Sequence, residues 1–237
     1  MCLAIFAASI ALTQTPSIQD VLQTNLKSAT FKAVVGSSNM AELQKINKDF
    51  AQSYRFKSMD VWLKEPFMIR MESKVDDSEI LMVINGPIRK LSIPKARLSQ
   101  KLNLQNSPGK RQTAFDFGLM PPDLFDGFFK ADFVRTDRRT GEYVFDVTYG
   151  PGLDKDKSRH RIWVDPQKKM ITKRQWFANR GGFLMATFEY TNPVEVAGVW
   201  MPTTITVSNA DNKLAGTTNY KDIQVNPILA DSLFSVG

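Results

Sequence analysis

The sequence predicts an α+β protein in which most of the chain forms one strongly curved antiparallel sheet, with helices covering its concave side. Two observations predict this fold. Apolar residues alternate with polar ones along much of the chain, and turn signals separate the alternating runs at short intervals. About ten strands can be counted in this way. So many antiparallel strands favour a strongly curved sheet or an open barrel, whose concave side must be filled, plugged or left as a cavity.

The alternation starts near Tyr54, where Val61 and Leu63 fall on one face of the first run. Asn85-Gly86 predicts a tight hairpin between two such runs, because both residues tolerate a positive φ angle. The later strand-like runs are residues 143–149, 159–165, 170–178, 183–191, 201–208 and 214–225. Together these runs predict a meander of hairpins.

Helices are predicted in the N-terminal part of the chain. Ser17 and Asp20 have the spacing of a capping box, and the apolar periodicity that follows predicts an amphipathic helix over residues 17–29. A second helix is expected over residues 39–50, and residues 97–112 are expected to form a polar loop.

One segment, residues 114–133, has a different character, because large apolar side chains dominate it. They are Phe115, Phe117, Leu119, Met120, Leu124, Phe125, Phe128, Phe129 and Phe133. Pro122 suits the first turn of a short helix. A helix this apolar must be covered by the protein or must itself cover something.

Composition narrows the function classes. The chain has 237 residues and a formal net charge of +7, with 16 Phe and 10 Met. A basic protein of this kind could meet anionic lipid, acidic protein or nucleic acid. No zinc-finger spacing, RNP-like motif or basic zipper helix is present, so we expect no nucleic-acid partner. The basic residues are interpreted as a solvated face.

The N-terminus is interpreted as an export signal. Residues 3–12 form an apolar run of the length of a signal-peptide core, although no Lys or Arg precedes it. We expect a signal peptide over residues 1–13 and one domain over residues 14–237, exported to the periplasm. The alternative for the apolar run is a buried N-terminal strand or helix.

The sequence offers little for catalysis. Cys2 is the only cysteine and would leave with the signal peptide, and His160 is the only histidine. No Gly-x-Ser-x-Gly motif, nucleotide-binding glycine pattern or His/Cys metal spacing is present. We therefore expect neither an enzyme nor a metal or cofactor. A hydrolase acting through carboxylates is the weakest alternative.

Three stretches resemble the LolA/LolB-like superfamily, which includes RseB-type envelope regulators. In the first, residues 59–72, the matching residues are Trp62, Lys64, Pro66 and Arg70. The second is the hairpin ILMVINGPIRKL, and the third is the run of hairpins from RIWVDPQKKMITKRQWF to the final SLFSV. The longer region between Ala33 and Gln52 departs from the family pattern.

The resemblance implies an unclosed barrel whose apolar cavity accepts the acyl chains of lipoproteins or of lipids, with the Phe-rich segment as a lid. It implies a periplasmic carrier for transfer towards the outer membrane, or alternatively an RseB-like regulatory module that recognises envelope proteins or lipids. An inner- or outer-membrane protein remains open as a further partner, and we expect a monomer. The candidate ligand-binding residues are Met59, Val61, Leu63, Ile69, Met71, Ile80, Met82, Phe125, Phe128 and Phe129.

Overall fold

The computed structural model describes residues 15–64, 67–75, 77–179 and 181–237. Thirteen strands form a single antiparallel sheet within this part of the chain. They are β1 Ser28–Ser38, β2 Ser58–Lys64, β3 Met68–Val75, β4 Ser78–Asn85, β5 Ile88–Ile93, β6 Leu98–Asn103, β7 Phe129–Thr136, β8 Tyr143–Tyr149, β9 Arg159–Asp165, β10 Met170–Phe177, β11 Leu184–Val196, β12 Val199–Asn209 and β13 Leu214–Val225.

The strand order is β6-β5-β4-β3-β2-β1-β13-β12-β11-β10-β9-β8-β7. β1 therefore lies inside the sheet, between β2 and β13, and joins the N-terminal and C-terminal hairpins. β6 and β7 are the two edges, so the sheet is curved but not closed. The predicted fold class is confirmed.

Helical structure is sparse. Two short α-helices, α1 Met40–Ile46 and α2 Lys48–Ser53, follow β1. Asn39 caps α1, and Asn47 both ends α1 and caps α2, so the single helix predicted here is two. The 3-10 helices are Ile18–Val21, Pro94–Ala96, Pro108–Lys110, Ala114–Phe117, Pro122–Phe125 and Asp231–Phe234. Within the described ranges, no helix is long and apolar enough to cross a membrane.

The helix predicted over residues 17–29 is wrong beyond its first turn. The capping box of Ser17 and Asp20 is present, but it starts a 3-10 helix that ends at Val21, and Ser28 already begins β1. Residues 28–34 pair with β2 on one side, and residues 29–38 pair with β13 on the other. Because each side of β1 gains a hydrogen-bonded ladder, sheet pairing outweighs the local helical periodicity.

The strand count also exceeds the predicted number, because β1, β6 and β7 were not predicted. The polar loop expected over residues 97–112 is wrong in its first half, where Leu98–Asn103 forms edge strand β6. An edge strand pairs on one side only and has little apolar surface to bury, so its sequence carries a weak strand signal. β7 begins at Phe129, within the Phe-rich segment, which was expected to form a lid.

The proposed signal peptide, residues 1–13, lies outside the described residues. At the other end, Asp231–Phe234 forms a 3-10 helix. It packs on the convex face of the sheet, where Arg70 Nη1 donates to the Leu233 carbonyl (3.0 Å) and Asn85 Nδ2 donates to the Phe234 carbonyl (3.1 Å). Phe234 is fully buried there.

Candidate functional site

An apolar face on β2, β3 and β4 collects the strand residues that the sequence analysis singled out. Val61 lies opposite Met71, and Met71 lies opposite Met82. Leu63 lies opposite Ile69 in the next row. Directly opposed residues of an antiparallel pair share a face, so these side chains form one continuous surface on the concave side. The period-two interpretation of these strands is confirmed.

Burial differs across this surface. Val61, Leu63, Ile69 and Met71 are buried in the main apolar core. The candidate residues farther from β1 or nearer the strand ends, Met59, Ile80 and Met82, are only partly buried.

The Phe-rich segment fills the space in front of this face. We call residues 114–125 the plug: its two 3-10 helices are joined at Gly118, whose φ angle is +82°. Its buried side chains are Phe115, Phe117, Leu119, Met120 and Leu124. The predicted lid helix is thus replaced by two tight turns, since Pro121-Pro122 and Gly118 interrupt any longer helix. Pro122 does occupy the predicted first turn.

The three phenylalanine candidates lie where the plug meets the sheet. Phe129 is the first residue of β7, and its ring centroid is 4.7 Å from that of Phe128 and 5.9 Å from that of Phe125. Phe128 and Phe129 are buried, whereas Phe125 is partly exposed. They form an aromatic cluster with Tyr149 rather than an open lid.

Two polar contacts fasten the plug. The first joins Met120 to Gln23 in both directions: Met120 N–H donates to Gln23 Oε1 (2.9 Å), and Gln23 N–H donates to the Met120 carbonyl (3.0 Å). The second is an ion pair in which Arg174 Nη1 donates to Asp116 Oδ1 (3.0 Å). Arg174 is 4% exposed, so Asp116 supplies the counter-charge for a buried guanidinium.

Arg174 lies among other buried polar groups. Its guanidinium carbon is 4.3 Å from the Phe188 ring centroid, and burial lowers the pKa of the nearby His160 well below its usual value, with the positive charge of Arg174 adding to the effect. Burial raises the pKa of Tyr190 to about 12. In this cluster, Arg174 Nε, His160 Nδ1 and the Tyr190 hydroxyl are buried and have no hydrogen-bond partner among the described residues. His160 is therefore neutral and buried, as a core residue rather than a surface one.

A small cavity of about 30 Å³ remains between the plug and β1–β3. Leu63 and Ile69 line one side, and Leu119 and Leu124 of the plug line the other. This volume holds roughly one water molecule, far less than an acyl chain. A chain-like ligand therefore needs the plug or the surrounding side chains to move before it can enter this space.

Of the candidate residues, Leu63 and Ile69 line the cavity. Ile80 lies farther out on β4, and the others belong to the apolar core or pack against it. Sequence reasoning missed Lys27, which the helix prediction misplaced, and Phe67. Phe67 has a φ angle of +56°, which is rare for a bulky residue, and this backbone strain is invisible in the sequence. Trp62 and Arg70 belong to the motif that carried the resemblance, but they face the opposite side.

The geometry defines a class: an open, one-sheet half-barrel with an apolar concave side and a segment that fills it. Comparison with solved structures gives that class its name. A LolA superfamily protein from Nitrosomonas europaea matches with a TM-score of 0.64 and 16% identity, covering 94% of this chain and 98% of that one. The chain thus has the LolA-like fold that the sequence motifs predicted.

Two further structures support the same fold. A domain from Vibrio parahaemolyticus, provisionally assigned as an outer membrane lipoprotein-sorting protein, matches with a TM-score of 0.60 and 12% identity, covering 92% of each chain. A DUF1329 family protein from Desulfovibrio piger matches with a TM-score of 0.53 and 10% identity, covering 92% of this chain and 93% of that one.

The sequence comparisons are narrower. A family model described as "-like: Uncharacterized protein" matches residues 129–237. A search of curated protein sequences finds no significant match.

Proposed function

We propose that this protein is a periplasmic carrier that binds the acyl chains of lipoproteins or of lipids on its concave face, for transfer towards the outer membrane. The observation that carries the proposal is the continuous apolar face of β2–β4 with a separate apolar plug in front of it. Such a pair of surfaces can exchange one partner for another, because acyl chains offer the face the same kind of contact that the plug offers.

The energetics suit a reversible carrier. A buried methylene group contributes about 0.8 kcal/mol, and a single acyl chain gives only marginal, reversible binding. Opening the plug costs part of this gain, because Phe115, Phe117, Leu119, Met120 and Leu124 lose their contacts. The net affinity is then small enough for the cargo to be released to an acceptor.

Catalysis is not part of the proposal. The neutral His160 is enclosed beside Arg174 and the Phe115 ring, whose centroid is 5.4 Å from that of the imidazole. No group of three or more His, Cys, Asp or Glu residues that could hold a metal occurs in the described part of the chain. The arrangement favours binding over chemistry.

Native mass spectrometry of protein released gently from its own envelope tests the carrier function. We expect a bound species with the mass of a lipid or an acylated protein, in wild type and in the convex-face control Glu189→Gln. The variant Met82→Asp, which places a carboxylate on the apolar face at a partly buried position, should lose the adduct while remaining folded. Adduct-free wild type in material that would reveal a minor species contradicts the proposal.

A further inference from the structure

One cation beside the cavity is not neutralised. Arg111 follows the 3-10 helix Pro108–Lys110, and its guanidinium carbon is 4.1 Å from the Phe67 ring centroid and 5.0 Å from that of Phe128. The two rings are themselves 5.1 Å apart. Arg111 thus lies over a pair of aromatic side chains contributed by two separate parts of the chain.

No carboxylate among the described residues forms an ion pair with Arg111. Its Nε atom is buried and has no hydrogen-bond partner. Burial lowers the pKa of Arg111 to about 10, so the guanidinium still carries its charge at neutral pH. The rings attract this charge, but they offer no oxygen acceptor to its five N–H donors.

Arg174, unlike Arg111, has a carboxylate partner. Both guanidinium groups stack on phenylalanine rings, but Arg174 donates to Asp116 across 3.0 Å. A buried N–H donor without an acceptor costs free energy, and an external anion can supply that acceptor.

The position of Arg111 indicates where that anion belongs. Phe67, which Arg111 covers, lines the cavity between the plug and the sheet. Lys64 also lines it, but its ammonium group forms an ion pair with Asp231, and Asp123 is the one acidic residue among the described lining residues. An apolar space with the guanidinium of Arg111 at its border matches a molecule with apolar chains and a negatively charged head.

We propose that Arg111 anchors an anionic head group, a phosphate or carboxylate, of an amphiphile whose acyl chains lie against the concave face. This inference rests on the carrier function proposed above and adds the charge of the cargo to it. The planar guanidinium pairs with two oxygens of one anion at once, and the Phe67 and Phe128 rings hold its plane in place.

Phe67 adds a second sign of specialisation. A phenylalanine at a φ angle of +56° is strained, and that strain persists where surrounding contacts impose it. The contacts here are the Phe128 ring and the Arg111 guanidinium. The strained backbone therefore presents the ring that supports the cation.

The test compares two ligands with the same chain, dodecanoic acid and 1-dodecanol, by displacement of a neutral fluorescent apolar probe. Wild type should bind dodecanoate about tenfold more tightly than the alcohol, as expected for one charge-assisted pair. In Arg111→Gln the alcohol should bind as before and the preference should vanish. Arg111→Lys should retain part of the preference, and Arg135→Gln, an exposed arginine on β7, should retain all of it.

Each outcome decides something. If both ligands bind wild type equally, or if Arg111→Gln keeps the preference, the head-group site is wrong while the carrier function stands. If neither ligand displaces the probe from wild type, the carrier function and the inference fail together. Inorganic phosphate separates a free anion from a lipid head: an Arg111-dependent rise in melting temperature with phosphate alone, as large as that with dodecanoate, overturns the assignment to an amphiphile.

Discussion

The two arms of the sheet, on either side of β1, differ in how completely their concave side is covered. In the arm from β8 to β12, side chains such as Phe145, Val147, Ile162 and Val207 are fully buried. In the arm from β2 to β6, cover declines outward: Val61 on β2 is buried, residues of β5 are only partly buried, and β6 is mostly exposed. The first arm is an ordinary close-packed core, and the second keeps apolar surface available.

This difference explains why a carrier can have both a stable fold and an exchangeable site. The packed arm, with α1 against β12 and β13, supplies the contacts that hold the structure together. The open arm contributes fewer, so ligand binding there need not disturb the whole sheet. Local opening is expected where buried apolar contacts are few.

The largest expected effect compares one residue from each arm. Phe145→Ala on β8 removes a fully buried ring and should destabilise the protein by about 3–5 kcal/mol, because the surrounding core cannot close the cavity. Met82→Ala on β4 should cost about 1 kcal/mol, since its side chain is only partly buried. Urea unfolding followed by circular dichroism measures both. Equal losses would show that the two arms are packed alike.

The next effect concerns the plug. Asp116→Asn removes the charge opposite Arg174 and leaves a buried guanidinium without its counter-ion, which should cost about 2 kcal/mol. Because the plug loses one of its fastenings, binding of a neutral apolar probe should become tighter even though the protein is less stable. Glu142→Gln, which replaces a carboxylate away from the plug by an amide, serves as the matched control. Weaker probe binding in Asp116→Asn would mean that the plug forms part of the site rather than covering it.

The sequence predicted the strands with strong alternation and clear turns well. Asn85-Gly86 is the β4–β5 hairpin with Gly86 at a φ angle of +57°, and β13 has the predicted bounds. The same logic placed Val61 and Met71 on one face, because period two depends only on the chain itself. The curvature and open edges of the sheet also follow from strand number and antiparallel order.

Features that depend on distant contacts could not be predicted. β1 was interpreted in part as helix, because its strand state depends on β2 and β13 pairing with it. The burial of Arg174 and its pairing with Asp116 join residues 58 positions apart, and no local pattern reports that distance. In the sequence Arg111 is one of 31 basic residues, and no local pattern indicates that the Phe67 and Phe128 rings lie beneath its guanidinium.

The smallest effect uses the single histidine of the chain as a probe of the packed arm. Burial, reinforced by the charge of Arg174, lowers the folded-state pKa of His160 well below 6.5. Below about pH 6.5 the imidazole therefore binds a proton in the unfolded chain but not in the folded protein. The free energy of unfolding consequently falls as the pH decreases below about 6.5. The loss approaches about 1.4 kcal/mol per pH unit once the pH lies well below 6.5 and above the folded-state pKa.

Urea midpoints of wild type and His160→Gln between pH 7.5 and 5.5 measure this loss: wild type should lose stability on acidification, and the variant should lose much less. A parallel decline in both proteins would place the titrating group elsewhere and would show that the imidazole gains its proton without unfolding, as a side chain of a loosely packed arm would.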